Sequence, residues 1–221
     1  MSVQVEWHGV LLKREELNPS FVRSVDELAD AARDGAWARA FDLLDGRAVE
    51  FTVGVNDWRC GGDSWFSPLH QAAWHGAPAE VAEQLVSRGA WRALRDAEGR
   101  RPVDIARERD ADHLIDLLEP PHKHPVSDRS LEAMSLALAE LVSAAARQVG
   151  CDASIRHFDV ACLAESDAEV WFPIPGMYGG FSLQMFRGRL HAESWSRVVG
   201  GSGRAYVITA DRTTLVDEGF V

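Results

Sequence analysis

The side chains in this 221-residue chain whose type and spacing could do chemistry lie near its end. His191, Glu193, Trp195 and Arg197 recur at every second position. Alternate residues of a strand share a face, so an imidazole, a carboxylate, an indole and a guanidinium stand together. That is not a hydrophobic core face. It reads as a solvated surface with cross-strand pairs or as the floor of a pocket. The loop Pro175-Gly176-Met177-Tyr178-Gly179-Gly180 can fold over it and offer Tyr178 as a hydrogen-bond donor. His157 and Asp159 share the face of an earlier strand, and a His–Asp pair suits general base catalysis. His191, Glu193, Arg197, Tyr178, His157 and Asp159 are therefore pocket candidates, and none is assigned a catalytic role.

Other chemistries are excluded by what the sequence lacks. Gly200-Gly201-Ser202-Gly203 has no Walker lysine and no helix pattern after it, so it reads as a hairpin loop rather than a phosphate cradle. Arg204 stands where a nucleophile elbow needs its last glycine. Cys60, Cys151 and Cys162 form neither a disulfide framework nor a zinc ribbon. His122 and His124 lack a third ligand and read as part of a solvated linker. No metal and no cofactor is expected. With 34 acidic and 23 basic side chains the net charge is −11, which argues against a nucleic-acid binder. No apolar run approaches a membrane span, and Met1 to Leu12 has no secretory pattern. A soluble, reduced, cytoplasmic protein is the expectation.

The elements that hold these residues fall into two halves. In the first, Ser67-Pro68-Leu69-His70-Gln71-Ala72-Ala73-Trp74-His75-Gly76 is echoed by Arg101-Pro102-Val103-Asp104-Ile105-Ala106, and Leu28 with Ala31 to Gly35 matches the same frame. Pro68 opens a helix. Val81 and Leu85 form the inward stripe of the next helix, and Gly89 ends it. Residues 46–63 carry an insertion. The pattern resembles the ankyrin-repeat family, with about three repeats over residues 24–119. The resemblance implies that His70 bonds backbone within a turn, and that Trp65, where the family has a glycine, remodels the finger ahead of the middle repeat. It also implies that partners meet finger tips and first-helix ends. Here these are Trp58, Trp65, Phe66, Trp74, His75, Trp91, Arg92, Glu98, Arg100, Glu108 and Arg109. Tryptophan and arginine are enriched at interface hot spots, although these tryptophans can equally pack internally. Residues 1–23 are expected to cap the first repeat through Val3, Val5, Trp7, Val10 and Leu11.

After a proline-rich linker at 120–126, Ser127 is read as the N-cap of a helix running to about Val149. Its stripe is Leu131, Met134, Leu138, Leu141, Val142 and Ala145, widened by Leu136 and Ala137. Strands are then predicted over Ile155–Leu163, Glu169–Phe172, Phe181–Phe186, Leu190–Val199 and Tyr206–Thr209. This second module, residues 127–221, resembles the tails of uncharacterised actinobacterial ankyrin-repeat proteins, through Trp171 to Phe181 and Glu193 to Gly203. The expected fold class is an α ankyrin solenoid plus α+β: a short stack capped by a long helix and an antiparallel sheet of four or five strands. Residues 1–119 hold 22 acidic and 14 basic side chains, and six of the eight tryptophans. The expected function is that of a non-enzymatic binding protein recognising a protein partner, one version being an immunity protein that neutralises a toxin. The alternative is an enzyme or small-molecule binder with its pocket on the C-terminal sheet and the repeats recruiting a protein or peptide substrate.

Overall fold

A computed structural model describes residues 4–47, 51–121, 123–197 and 202–219. The chain divides into two compact units, Leu12–Pro120 and, built from both chain ends, Met1–Leu11 with Pro121–Val221.

The unit Leu12–Pro120 is helical. It contains α1 (Pro19–Arg33), α2 (Trp37–Leu44), α3 (Pro68–His75), α4 (Ala79–Ser87), α5 (Pro102–Glu108) and α6 (Asp112–Leu118). Asn18 starts α1 by accepting the amides of Ser20 and Phe21 at 2.9 and 3.4 Å, ahead of Pro19 at the first helical position. α3 and α5 likewise open on a proline, and α3 ends at Gly76 in the left-handed region with φ +54°. Leu69, Ala72, Ala73, Val81, Leu85, Val103, Ile105, Ala106, Leu114 and Leu118 form one buried core, the alanines letting helices approach closely. Val25, Leu28, Ala31, Ala40, Leu43 and Val53 form a second.

The other unit is α+β. Its strands are β1 (Gln4–Glu6), β2 (Val10–Leu11), β3 (Ser154–Ile155), β4 (Glu169–Ile174), β5 (Gly179–Phe186), β6 (Arg189–Ser196), β7 (Ser202–Ile208) and β8 (Thr213–Gly219), with helices α7 (Asp128–Gln148) and α8 (Ala161–Ala164). Six strands form one sheet in the order β1-β4-β5-β6-β7-β8, and β2 pairs with β3 in a second. β1 runs parallel to β4, and the other neighbours of the large sheet are antiparallel. Val170, Phe172 and Ile174, Phe181, Leu183 and Met185, Leu190 and Ala192, and Ile208 are buried on one face of it. Ser127 caps α7, which buries Leu131, Met134, Leu138, Val142 and Ala146.

The N-terminal segment is stitched to this unit. The Trp7 amide donates to the Trp171 carbonyl at 2.8 Å, continuing the β1–β4 ladder. Its indole is buried edge-on to Phe158 with ring centroids 5.5 Å apart, lies 5.0 Å from the Arg156 guanidinium, and donates to the Arg156 carbonyl at 3.1 Å. Arg156 N–H returns a bond to the Gly9 carbonyl at 2.7 Å. A Cβ on Gly9 would collide with the indole and with the Arg156 carbonyl.

Several expectations are corrected. The chain is an α+β protein, and its helical unit is not a three-repeat ankyrin solenoid. A solenoid needs units that present the same face to one another. Here α1 has 15 residues against 8 in α3 and 7 in α5, and the α2–α3 connection, residues 45–67, carries no helix or strand among the described residues. The N-terminal segment is an edge strand rather than a cap. The sheet has six strands, not four or five, because β1 joins from a distance and β8 was not read as a strand. The predicted strand Ile155–Leu163 is instead β3, a loop and α8: Asp159 accepts the Ala161 amide at 2.9 Å and turns the chain into a helix. Leu136, placed on the apolar stripe, is 64% exposed. Val3, His122 and Gly200-Gly201 lie outside the described residues.

Trp7→Ala should destabilise the protein by about 3–5 kcal/mol, the range for removing a buried large aromatic. Urea unfolding followed by circular dichroism measures it, and an unchanged midpoint would show that the N-terminal segment is dispensable.

Candidate functional site

The helical unit is organised by helix C-termini joined side chain to carbonyl. His75 Nε2–H donates to the Arg33 carbonyl at 2.7 Å, and Arg109 Nε–H donates to the Trp74 carbonyl at 3.3 Å. These bonds satisfy carbonyls that the ends of α1 and α3 leave open, and they place Trp74, His75, Glu108 and Arg109 together. Trp74 is 40% exposed, with the Arg109 guanidinium 4.5 Å from its ring centroid. The Phe66 ring stands 6.0 Å from Trp74 at 64°, and Arg100 lies 5.9 Å over Phe66.

Arg100 is held by an acidic cradle. Asp96, almost fully buried, accepts the Glu98 and Arg100 amides at 2.9 and 2.8 Å and pairs with the Arg100 guanidinium at 2.8 Å. Glu98 and Glu108 each reach Arg100 at 3.2 Å. Gly99, at φ +81°, closes this turn, and the Ala97 amide ties it to the Ser64 carbonyl at 3.0 Å. Phe66 also stacks on His70 at 5.5 Å. His70 is fully buried. Its Nδ1 accepts from Ser67, amide at 3.2 Å and hydroxyl at 2.8 Å, so the proton sits on Nε2 and is donated to the Leu94 carbonyl at 3.1 Å. His70 thus bonds backbone, as the turn pattern implies.

The structure divides the eleven expected partner contacts. Trp74, His75, Glu98, Glu108 and Arg109 are exposed, with Phe66, Arg100 and Trp65 partly so. Trp58 and Trp91 are buried. The Trp91 amide donates to Asn56 Oδ1 at 2.9 Å, while Asn56 Nδ2 donates to the Gly89 carbonyl at 3.0 Å, so the α2–α3 connection clamps the segment that follows α4. Arg92 donates to the Leu117 carbonyl at 3.2 Å. These three positions serve internal structure: Trp58 and Trp91 are buried, and Arg92, partly buried, is tied to a carbonyl at the end of α6. Sequence reading missed Asp96 as the organiser of the turn; an Asp three residues before a glycine was its signal.

Of the six pocket candidates, Glu193 and Arg197 come together and His191, Tyr178, His157 and Asp159 do not join them. Trp171 and Trp195 stack at 5.2 Å across β5, where Gly180 and Ser182 leave room between them. A Cβ on Gly180 would strike the Phe172 carbonyl. Arg197 covers Trp195 at 5.2 Å. Glu193, Trp195, Arg197, Arg204 and Asp217 line an open groove of about 640 Å³. His191 is not part of it and meets Phe186 edge-on at 5.9 Å. Tyr178 is 77% exposed at φ +50° and does not fold over the face, because the Met177 carbonyl is tied to Ser196 Oγ at 2.8 Å and to the Arg197 amide at 3.3 Å. His157 and Asp159 share no strand: His157 Nε2 lies 3.4 Å from Ser143 Oγ of α7, and Asp159 accepts the amide of Ala161, the first residue of α8. Burial first, then the charges of Asp26 and Asp57, push the Cys60 thiol up to about 11, which leaves it protonated and poorly nucleophilic at neutral pH.

No helix among the described residues is long and apolar enough to cross a membrane, and they hold no group of three or more metal-ligating side chains.

Two predictions follow from this geometry. Trp91→Ala should lower stability by about 3–5 kcal/mol, whereas Trp74→Ala should change it by only about 1 kcal/mol; urea midpoints of the two variants separate these roles, and equal losses would contradict the division. At Asp104, burial raises the carboxyl's pKa, but bonds from the Arg101 side chain and amide, with the charge of Arg107, outweigh it and hold the carboxyl below its usual range. A carboxylate depressed in the folded state stabilises above its unfolded pKa of about 4, and that stability is lost as pH falls through the folded value. Asp104→Asn should therefore flatten the acid limb of the midpoint-against-pH curve, and an unchanged limb would count against this pairing.

No protein-family model matches the chain, and no curated protein does. Among solved structures, it is similar to a chain in the complex of a predatory endopeptidase from Bdellovibrio bacteriovorus with an immunity protein. The likeness covers 44% of this chain and 48% of that one, at 18% identity and a TM-score of 0.34. The chain thus spans about half the length of the structure it matches, and a likeness at this level assigns neither fold nor function.

Proposed function

We propose that the protein is a non-enzymatic binding protein that recognises a protein partner through the Trp74–Arg109 surface of its helical unit. The observation that carries this reading is the exposed indole held under a guanidinium, with Phe66 and Arg100 beside it. A large aromatic is expensive to leave in water. One that is braced on two sides loses little rotamer freedom when a partner covers it, and Trp and Arg dominate binding hot spots.

The charge of this unit favours a basic partner. Residues 12–120 hold 21 acidic and 14 basic side chains, a net of −7. Complementary charge raises the encounter rate and suppresses wrong partners. A specific form of this reading is an immunity protein that covers a basic toxin.

The test is affinity capture from the native host with wild-type protein, Trp74→Ala and Arg109→Glu, followed by titration of the identified partner. The wild type should retain a basic protein, and each variant should weaken it by at least about tenfold, the effect of losing a hot-spot side chain. A partner bound equally by all three would place the interface elsewhere.

A further inference from the structure

The arginines of this protein are mostly engaged. Arg14 pairs with Asp26, Arg39 with Glu27, Arg88 with Asp45, Arg100 with Asp96, Arg101 with Asp104 and Arg204 with Glu218. Arg189 and Arg212 have no ion-pair partner among the described residues, although the chain carries a net charge of −11. Both line one open cleft of about 530 Å³ at the end of the sheet where β5 turns into β6 and β7 into β8.

The register explains why they meet. Leu190 pairs with Ile208, and Ile208 with Thr213. One residue further on, Arg189, Thr209 and Arg212 fall in a single row, and the Thr209 amide donates to the Arg212 carbonyl at 2.9 Å to continue the ladder. Residues opposite one another on neighbouring strands project from the same face. The two arginines therefore stand two strand spacings apart, about 10 Å at the backbone, on either side of Thr209. Two residues along, on the same face, Val207 pairs with Thr214, whose exposed hydroxyl has no hydrogen-bond partner among the described residues. Asp211, in the β7–β8 turn, is the one carboxylate lining the cleft.

We propose that this cleft binds a phosphate group, through the guanidiniums of Arg189 and Arg212 and the hydroxyl of Thr214. Each guanidinium presents a planar fork that matches two oxygens of an oxyanion. A carboxylate has two oxygens and is filled by one fork. A phosphate carries three acceptor oxygens and close to two charges at neutral pH, so it can satisfy both forks and the hydroxyl together. The site is separate from the protein-binding surface proposed above and does not depend on it.

The test is titration of the full-length chain, watched through its backbone amides by NMR, with inorganic phosphate and, in a parallel arm, glycerol 3-phosphate, both at constant ionic strength. Saturable shifts at Arg189, Thr209, Arg212 and Thr214 are expected, weakened at least tenfold in Arg189→Gln and in Arg212→Gln. Arg212→Lys keeps the charge but not the fork, and should weaken binding too. The arm that saturates at the lower concentration identifies whether free phosphate or a phosphate ester is the better ligand. Linear, non-saturating shifts in both arms, or saturation indifferent to both glutamine variants, would overturn the proposal. All three variants alter exposed side chains, and amide spectra that are otherwise unchanged confirm that they fold.

Discussion

The clasp between Trp7, Gly9 and Arg156 is the contact on which the architecture depends. It joins residues separated by almost 150 positions. Because the sheet unit draws on both ends of the chain, the helical unit is an insertion within it. Closing so long a loop is entropically unfavourable, although the penalty grows only slowly with length. A parallel three-residue strand offsets little of it alone. The buried indole, its hydrogen bond and its aromatic neighbour supply what β1 lacks. Gly9 is required for a steric reason: no other residue lets its backbone pass so close to the indole and the Arg156 carbonyl.

Local signals were legible and distant ones were not. Pro68 at the start of α3, Gly89 after α4 and the Ser127 cap of α7 could be read from neighbouring residues, because caps and turns act within one helical turn, whereas the bond of His70 to the Leu94 carbonyl 24 residues away came only from the resemblance. The pairing of Gln4–Glu6 with Glu169–Trp171 could not, since a parallel edge leaves no local pattern. Phe158, Val160 and Cys162 alternate like a strand, yet Asp159 captures the Ala161 amide and starts a helix. β8 escaped notice because all of its residues are exposed and no apolar alternation marks it. The repeat-like spacing of the first half predicts about three repeats with one insertion, but α1 has 15 residues against 8 in α3 and 7 in α5, so the units are not equivalent.

The candidate residues divide by the same logic. Trp74 and Trp91 are of one type, and a sequence cannot rank them. The difference arises from Asn56 in the inserted segment, which takes up the Trp91 amide and the Gly89 carbonyl, while Trp74 ends a helix whose last carbonyl is taken by Arg109. On the sheet, alternation put His191, Glu193, Trp195 and Arg197 on one face. It could not show that Trp195 would turn to Trp171 across Gly180, or that His191 would turn to Phe186. What results is a structural stack beside an open groove rather than an assembled acid–base site.

The central claim is that the helical unit carries the recognition surface. Hydrogen–deuterium exchange of the full-length protein, free and with its captured partner bound, tests it most directly. Amides of residues 66–76 and 96–109 should gain protection on binding. Protection confined to β6, β7 and β8, with those helix ends unchanged, would contradict the account.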